Sequence, residues 1–88
     1  MILFTVVYSE NASDSLAFLW NASLQRNEVA RMSNAIDKEL RVDAHLKGKE
    51  LREELRQFQC EQLYAMYSVD LLDRIVRVVG LGVDKELL

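Results

Sequence analysis

The stretch DRIVRVVGLG, Asp73 to Gly82, restricts this chain more than any other part of it. Isoleucine and valine occupy both parities around Arg77, and the run is rich in β-branched residues. Read as a strand, it buries both of its faces and asks for cover on each side of the sheet. A fixed guanidinium in the middle of such a strand is costly unless it is paired or opens into a cleft. The fold must therefore hold this strand and give Arg77 a place.

The chain has few residues with which to cover it. With 88 residues, 50% of them hydrophobic and 28% charged, its composition is globular, and residues 1–88 are expected to form a single domain. That is below the ~100–150 residues of a typical domain, so the core is small. Such a core is only marginally stabilising by itself, and a partner protein or a homodimer would add to it. The net charge of −3 lacks the excess of Lys and Arg with which dedicated nucleic-acid binders neutralise phosphates. Cys60 is the single cysteine, so no intrachain disulfide ties the fold to an oxidising compartment. The opening MILFTVVY has no basic leader and falls short of the ~20 apolar residues that span a bilayer, so it reads as a strand of a cytoplasmic protein without a membrane segment.

Ile2 to Tyr8 is a short apolar run that suits a strand covered on both faces. Ser9, Asn11, Ser13 and Asp14 each offer an oxygen to cap a helix, in which Leu16, Leu19 and Trp20 share a stripe. Asn27 is placed to cap a second helix, where Val29, Met32, Ile36 and Leu40 recur at spacings of three and four. Two adjacent, short-linked helices of this kind form an antiparallel hairpin. KGKELREELRQFQCEQ is ambiguous: Leu51, Leu55 and Phe58 match a helical stripe, the composition favours helix, and the alternation expected of a strand from Leu55 is weak. LYAMYSV reads as a central strand, DLLDR as a turn, and RIVRVVGLGV as the returning strand.

Chemistry is narrowed by exclusion. His45 and Cys60 are the sole residues of their types, so one chain assembles no Cys/His zinc set, and neither a metal nor a cofactor is expected. His45 reads as a solvated loop residue and Cys60 as a small buried hydrophobe. GLG at Gly80 to Gly82 lacks the third glycine and the following helix of a phosphate-binding loop. Of the two NAS triplets, the first is explained by helix capping and the second by chance. Glu50, Glu53 and Glu54 alternate with Lys47, Lys49 and Arg52 as on a solvated face. What remains is a set of arginines on apolar segments, Arg56, Arg74 and Arg77, for which a carboxylate, a phosphate or an open concave face would account.

The order and spacing of three stretches resemble the toxins of the RelE/ParE superfamily, from bacterial type II toxin-antitoxin systems. VVYSENASDSLAFLW resembles the opening strand, polar cap and first helix, and VARMSNAIDKELRVD the second helix. GKELREELRQFQCEQLYAMYSVDLLDRIVRVV resembles a glycine-led approach to three antiparallel strands, with Arg56 on the first and DRIVRV on the last. The resemblance implies an α+β fold: an N-terminal strand and a two-helix antiparallel hairpin packed on a small twisted antiparallel sheet. It also implies that Leu55 to Cys60 is a strand and that the other face of the sheet is concave, with Arg56 and Arg77 as candidates to point into it or to meet acidic residues from a partner.

By the same resemblance the chain is a toxin that binds a cellular target, gyrase or the ribosome and its mRNA, and is neutralised by a cognate antitoxin. Arg56, Arg74, Tyr64 and Tyr67 are its partner-binding candidates. Alternatively it is a ribosome-dependent mRNA endonuclease, with Arg56, Arg77 and Lys85 as catalytic candidates, or a non-toxic degenerate interaction module. The chain departs from the family at its end, where RVVGLGVDKELL has Gly80 and Val83 in place of the usual basic, His or Tyr residues. Cleavage of a phosphodiester needs a base and an acid besides cations, and the sequence supplies no evident base unless Tyr64, Tyr67 or Lys85 serves.

Overall fold

The computed structural model describes residues 1–22 and 26–83. In chain order they form strand β1 (Thr5–Tyr8), helices α1 (Glu10–Ala22) and α2 (Arg26–Leu40), a 3₁₀ turn (Ala44–Leu46), and strands β2 (Lys49–Arg52), β3 (Leu55–Cys60), β4 (Leu63–Asp70) and β5 (Ile75–Val83). The strands make one sheet in the order β1-β5-β4-β3-β2. From β2 to β5 it is an antiparallel meander, whereas β1 lies parallel to β5, so the expected antiparallel sheet is mixed at this edge. The helices cover one face. Val29, Met32, Ile36 and Leu40 of α2 and Leu19 of α1 pack with Leu63, Ala65, Tyr67, Val76 and Val78 of the sheet.

The apolar character of both parities in β5 has a different cause from the double cover expected. The pairing slips between Met66 and Tyr67: Met66 faces Gly80 but Tyr67 faces Val78, which leaves Val79 as the extra residue of a β-bulge. A bulge exchanges the parity that faces the core. Before it, Val76 and Val78 are buried under the helices; after it, Leu81 and Val83 pack on the core instead. The other face of β5 carries Ile75 and Arg77, then Gly80 and Gly82, and none of the described helices or strands covers it. The Val79 carbonyl takes hydrogen bonds from Asn11 Nδ2 at 3.1 Å and Ser9 Oγ at 3.4 Å, so the irregularity is tied to the start of α1.

Ser9 caps α1, its Oγ accepting the Ala12 N–H at 3.1 Å. Within α1, Leu16 and Leu19 turn inward as expected, but Trp20 is 44% exposed and lies beneath the Arg26 guanidinium, 4.9 Å from the ring centre. Asn27 does not precede α2, since Arg26 is already helical. β1 is an edge strand rather than a doubly covered one. Its lead-in is held by the segment after α2: Asp43, at φ 50°, accepts the Ile2 N–H at 2.7 Å through its carboxylate, and Phe4 N–H donates to the Arg41 carbonyl at 2.8 Å.

The ambiguous stretch contains two strands. Leu55–Cys60 is β3, against local helix propensity, and KELR ahead of it is β2, which neither propensity nor the family resemblance predicts. Gly48 makes this possible. It has φ 66°, and a Cβ there would overlap the Gln57 carbonyl oxygen, so only glycine lets the chain enter β2 this close to β3.

Candidate functional site

Residues paired directly across strands share a face, so the register assigns each candidate to one side of the sheet. Arg77 pairs with Ser68 of β4 and Val7 of β1 on the open face, and its side chain is exposed. It makes no ion pair or hydrogen bond among the described residues. Arg56 pairs with the buried Tyr67 and belongs to the opposite, helix-bearing face. The two arginines thus lie on opposite faces of the sheet and do not point into one concavity.

Arg56 is engaged in holding the fold. Its Nε donates to the Lys47 carbonyl at 2.9 Å, and the Tyr67 hydroxyl reaches the same oxygen at 2.8 Å and the Ala44 carbonyl at 3.0 Å. Tyr67 is 0% exposed, so this partner-binding candidate offers no surface. Burial pushes its phenol upward in pKa while the adjacent guanidinium pulls it down. Arg74 stands in the exposed β4–β5 turn with φ 57°, its carbonyl accepting the Thr5 N–H at 2.9 Å. Tyr64 lies on the open face, its ring over Gly82. Lys85 lies outside the described residues.

A pocket of about 180 Å³ opens beside Arg56 on the helix-bearing side, beyond the helices, and brings together groups that the sequence reading set aside. His45, Glu50 and Glu54 line it around Arg56, over Val69 and Leu71. His45 is not a solvated loop residue. It belongs to the 3₁₀ turn, its ring is 5.7 Å from that of Phe4, and its buried Nδ1 has no hydrogen-bond partner among the described residues. Glu50 faces Arg56 across the β2–β3 hairpin. Only recognition of β2 would have exposed this juxtaposition, and KELR carries no alternation to reveal it. Among the described residues no group of three His, Cys, Asp or Glu could hold a metal. A second concavity of about 570 Å³ runs between α1 and α2, with Leu16, Ala17, Trp20 and Ala30 along it and Tyr8 at its base.

Two helices on one face of a five-stranded mixed sheet, with no other layer among the described residues, define an α+β class with known structural neighbours. A chain of the toxin-antitoxin complex RelBE2 from Mycobacterium tuberculosis superposes with a TM-score of 0.79 at 17% identity, over 96% of this chain and 94% of that one. A chain of the chromosomal ParDE toxin-antitoxin system from P. aeruginosa superposes with a TM-score of 0.71 at 10% identity, over 94% and 98%. The described residues therefore have the α+β fold of these chains from RelE- and ParE-type toxin-antitoxin systems. At the level of sequence, no family model and no curated protein matches the chain. Among the described residues no helix is long and apolar enough to cross a membrane.

Proposed function

We propose that the chain is the toxin of a type II toxin-antitoxin pair, arresting growth in the cytoplasm by binding a cellular target and silenced by a cognate antitoxin. The observation that carries this reading is the fold shared along 96% of the chain with a protein of a toxin-antitoxin complex. The sheet face that the described residues leave open supports it, since a small two-layer domain gains most from a partner on its uncovered layer. Gyrase and the translating ribosome are the two target classes. The test is bacterial growth after tightly controlled induction of the chain and of Arg77→Ala. Arrest by the first alone supports a toxin acting through the open face. Normal growth with soluble protein present would sink the reading and leave a non-toxic interaction module.

A second reading, endonucleolytic cleavage of mRNA, is favoured by the pocket at Arg56. Glu50 or Glu54 would take the proton of a ribose 2′-hydroxyl as its oxygen attacks phosphorus. Arg56 would offset the charge on the phosphoryl oxygens, and His45 would protonate the departing 5′-oxygen to leave a 2′,3′-cyclic phosphate. Induction should then yield transcripts with such ends, and His45→Gln and Glu50→Gln should each lower their formation by about 10²-fold or more while leaving the fold intact. A transcript map without new ends during growth arrest would remove this reading and favour a protein target.

A further inference from the structure

We propose that the open face of the sheet docks an acidic segment of a partner protein, with a carboxylate on Arg77 and an apolar residue on the shelf that Tyr64 and Met66 form. The proposal rests on the reading that a partner silences the chain, and it adds where that partner sits and what chemistry it presents.

Charge is unevenly divided between the two sides of the sheet. The chain carries 14 acidic residues against 11 basic ones, yet the paired rows of the open face hold Lys49, Arg52 and Arg77. The carboxylate among those rows, Asp70, stands at the end of β4, and its Oδ1 is occupied by the Asp73 N–H at 2.9 Å. Arg77 is exposed in the middle of β5 and has no ion pair or hydrogen bond among the described residues, so no described contact accounts for its charge there. A carboxylate is its natural complement, since the planar fork of donors takes two oxygens at once.

The glycines of GLG shape the surface next to it. A Cβ on Gly82 would fall within the Tyr64 ring, and one on Gly80 would come 2.8 Å from Met66 Cε. Tyr64 and Met66 therefore lie flat across β5 instead of standing up from β4. Two glycines two residues apart thus turn the far half of the face into a low apolar shelf bordered by cations. An incoming segment can approach it closely, burying an apolar side chain on the shelf and a carboxylate at Arg77. Three cations on an acidic protein are a poor match for a phosphate backbone, which calls for a longer basic stripe.

The test is a titration of the isotope-labelled protein, followed amide by amide in solution, with three probes. They are a short peptide repeating Leu-Ser-Glu-Ser, which as a strand presents Leu and Glu on one side, its Lys-for-Glu counterpart, and an oligouridylate RNA. The acidic peptide should shift Tyr64, Met66, Arg77 and Gly82 saturably, and the basic peptide and the RNA should not. Arg77→Glu should weaken the acidic peptide by at least about tenfold and improve the basic one, an inversion that a merely structural arginine would not give. If Arg77→Glu fails to fold, Arg77→Gln and Tyr64→Ala read the same loss. The proposal is overturned if both peptides bind alike, if the shifts fall in the groove between α1 and α2, if the RNA alone binds, or if the face is closed by a second copy of the chain. Because binding is read on the purified protein, this result is independent of whether induction arrests growth.

Discussion

The Tyr67 hydroxyl stands 2.8 Å from the Lys47 carbonyl oxygen, and Arg56 Nε donates to that same oxygen from 2.9 Å. A single backbone oxygen, one residue ahead of Gly48, therefore ties β3 and β4 to the turn that enters β2. Removing the hydroxyl in Tyr67→Phe takes the phenolic donor from the Ala44 and Lys47 carbonyls and leaves the Lys47 oxygen to Arg56 alone, which costs about 1–2 kcal/mol. For a domain of this size that lowers the melting temperature by several degrees, about 4–8 °C per kcal/mol. Arg56→Ala should cost a similar amount, and the double variant less than the sum, because both act on one acceptor. Additive losses in thermal unfolding would show that the two side chains work separately.

Gly48 and Glu54 both have left-handed backbone, but their substitution should have opposite results. Gly48→Ala puts a methyl group against the backbone of Gln57, which cannot withdraw without breaking the β2–β3 pairing. A loss of at least about 2 kcal/mol is expected from strain and overlap together. Glu54, at φ 64° in the exposed hairpin turn, carries a side chain where glycine would relieve the strain. Glu54→Gly should be neutral or stabilising by up to about 1 kcal/mol, the relief outweighing the extra freedom of the unfolded chain. Denaturant unfolding of the two variants checks the sign of each.

This same region shows where sequence stops informing. The stripes of α1 and α2 and the apolar run of β4 were legible because local pattern and tertiary environment agree there, and β1 and β5 were legible as strands though not in how their faces are covered. β2 and β3 were not legible from pattern, because Glu, Leu, Arg and Gln favour helix. The strand state of these residues is set by pairing with β4 and by one glycine conformation at Gly48. The family resemblance recovered β3 and missed β2. The faces of β5 were misread for another reason: a bulge at Val79 moves the core from one parity to the other, which reads in sequence as two buried faces. The separation of Arg56 from Arg77, and the meeting of Arg56 with His45 and Glu50, follow from register, and no spacing along the chain encodes that.

Arg77 and Arg56 should accordingly behave differently when truncated. Arg77 is exposed and has no partner among the described residues, so Arg77→Ala should change stability by no more than about 0.5 kcal/mol. Any growth phenotype of that variant then reports on binding. A phenotype of Arg56→Ala has to be read beside its melting curve, since the same change loosens Lys47. Arg77→Ala with a melting temperature several degrees below the parent would show that its stem is part of the packing.

Tyr8 gives the fold an alkaline limit. Its hydroxyl donates to Asp37 Oδ1 at 3.3 Å, and Asp37 Oδ2 accepts Arg41 Nε at 2.8 Å. Burial, and then the nearby carboxylate, push the phenol from its ordinary 10.0 up to about 12, with Arg41 opposing. A phenol whose folded value lies above its unfolded one favours the folded state fully below about pH 10. It loses that contribution as the pH rises toward about 12, because the unfolded chain gives up the proton first. Urea unfolding at about pH 9 and about pH 11.5 should show the parent losing stability that Tyr8→Phe retains, and Asp37→Asn should reduce the loss by removing the carboxylate that opposes phenolate. Equal losses in the parent and in Tyr8→Phe would assign the alkaline limit to other groups.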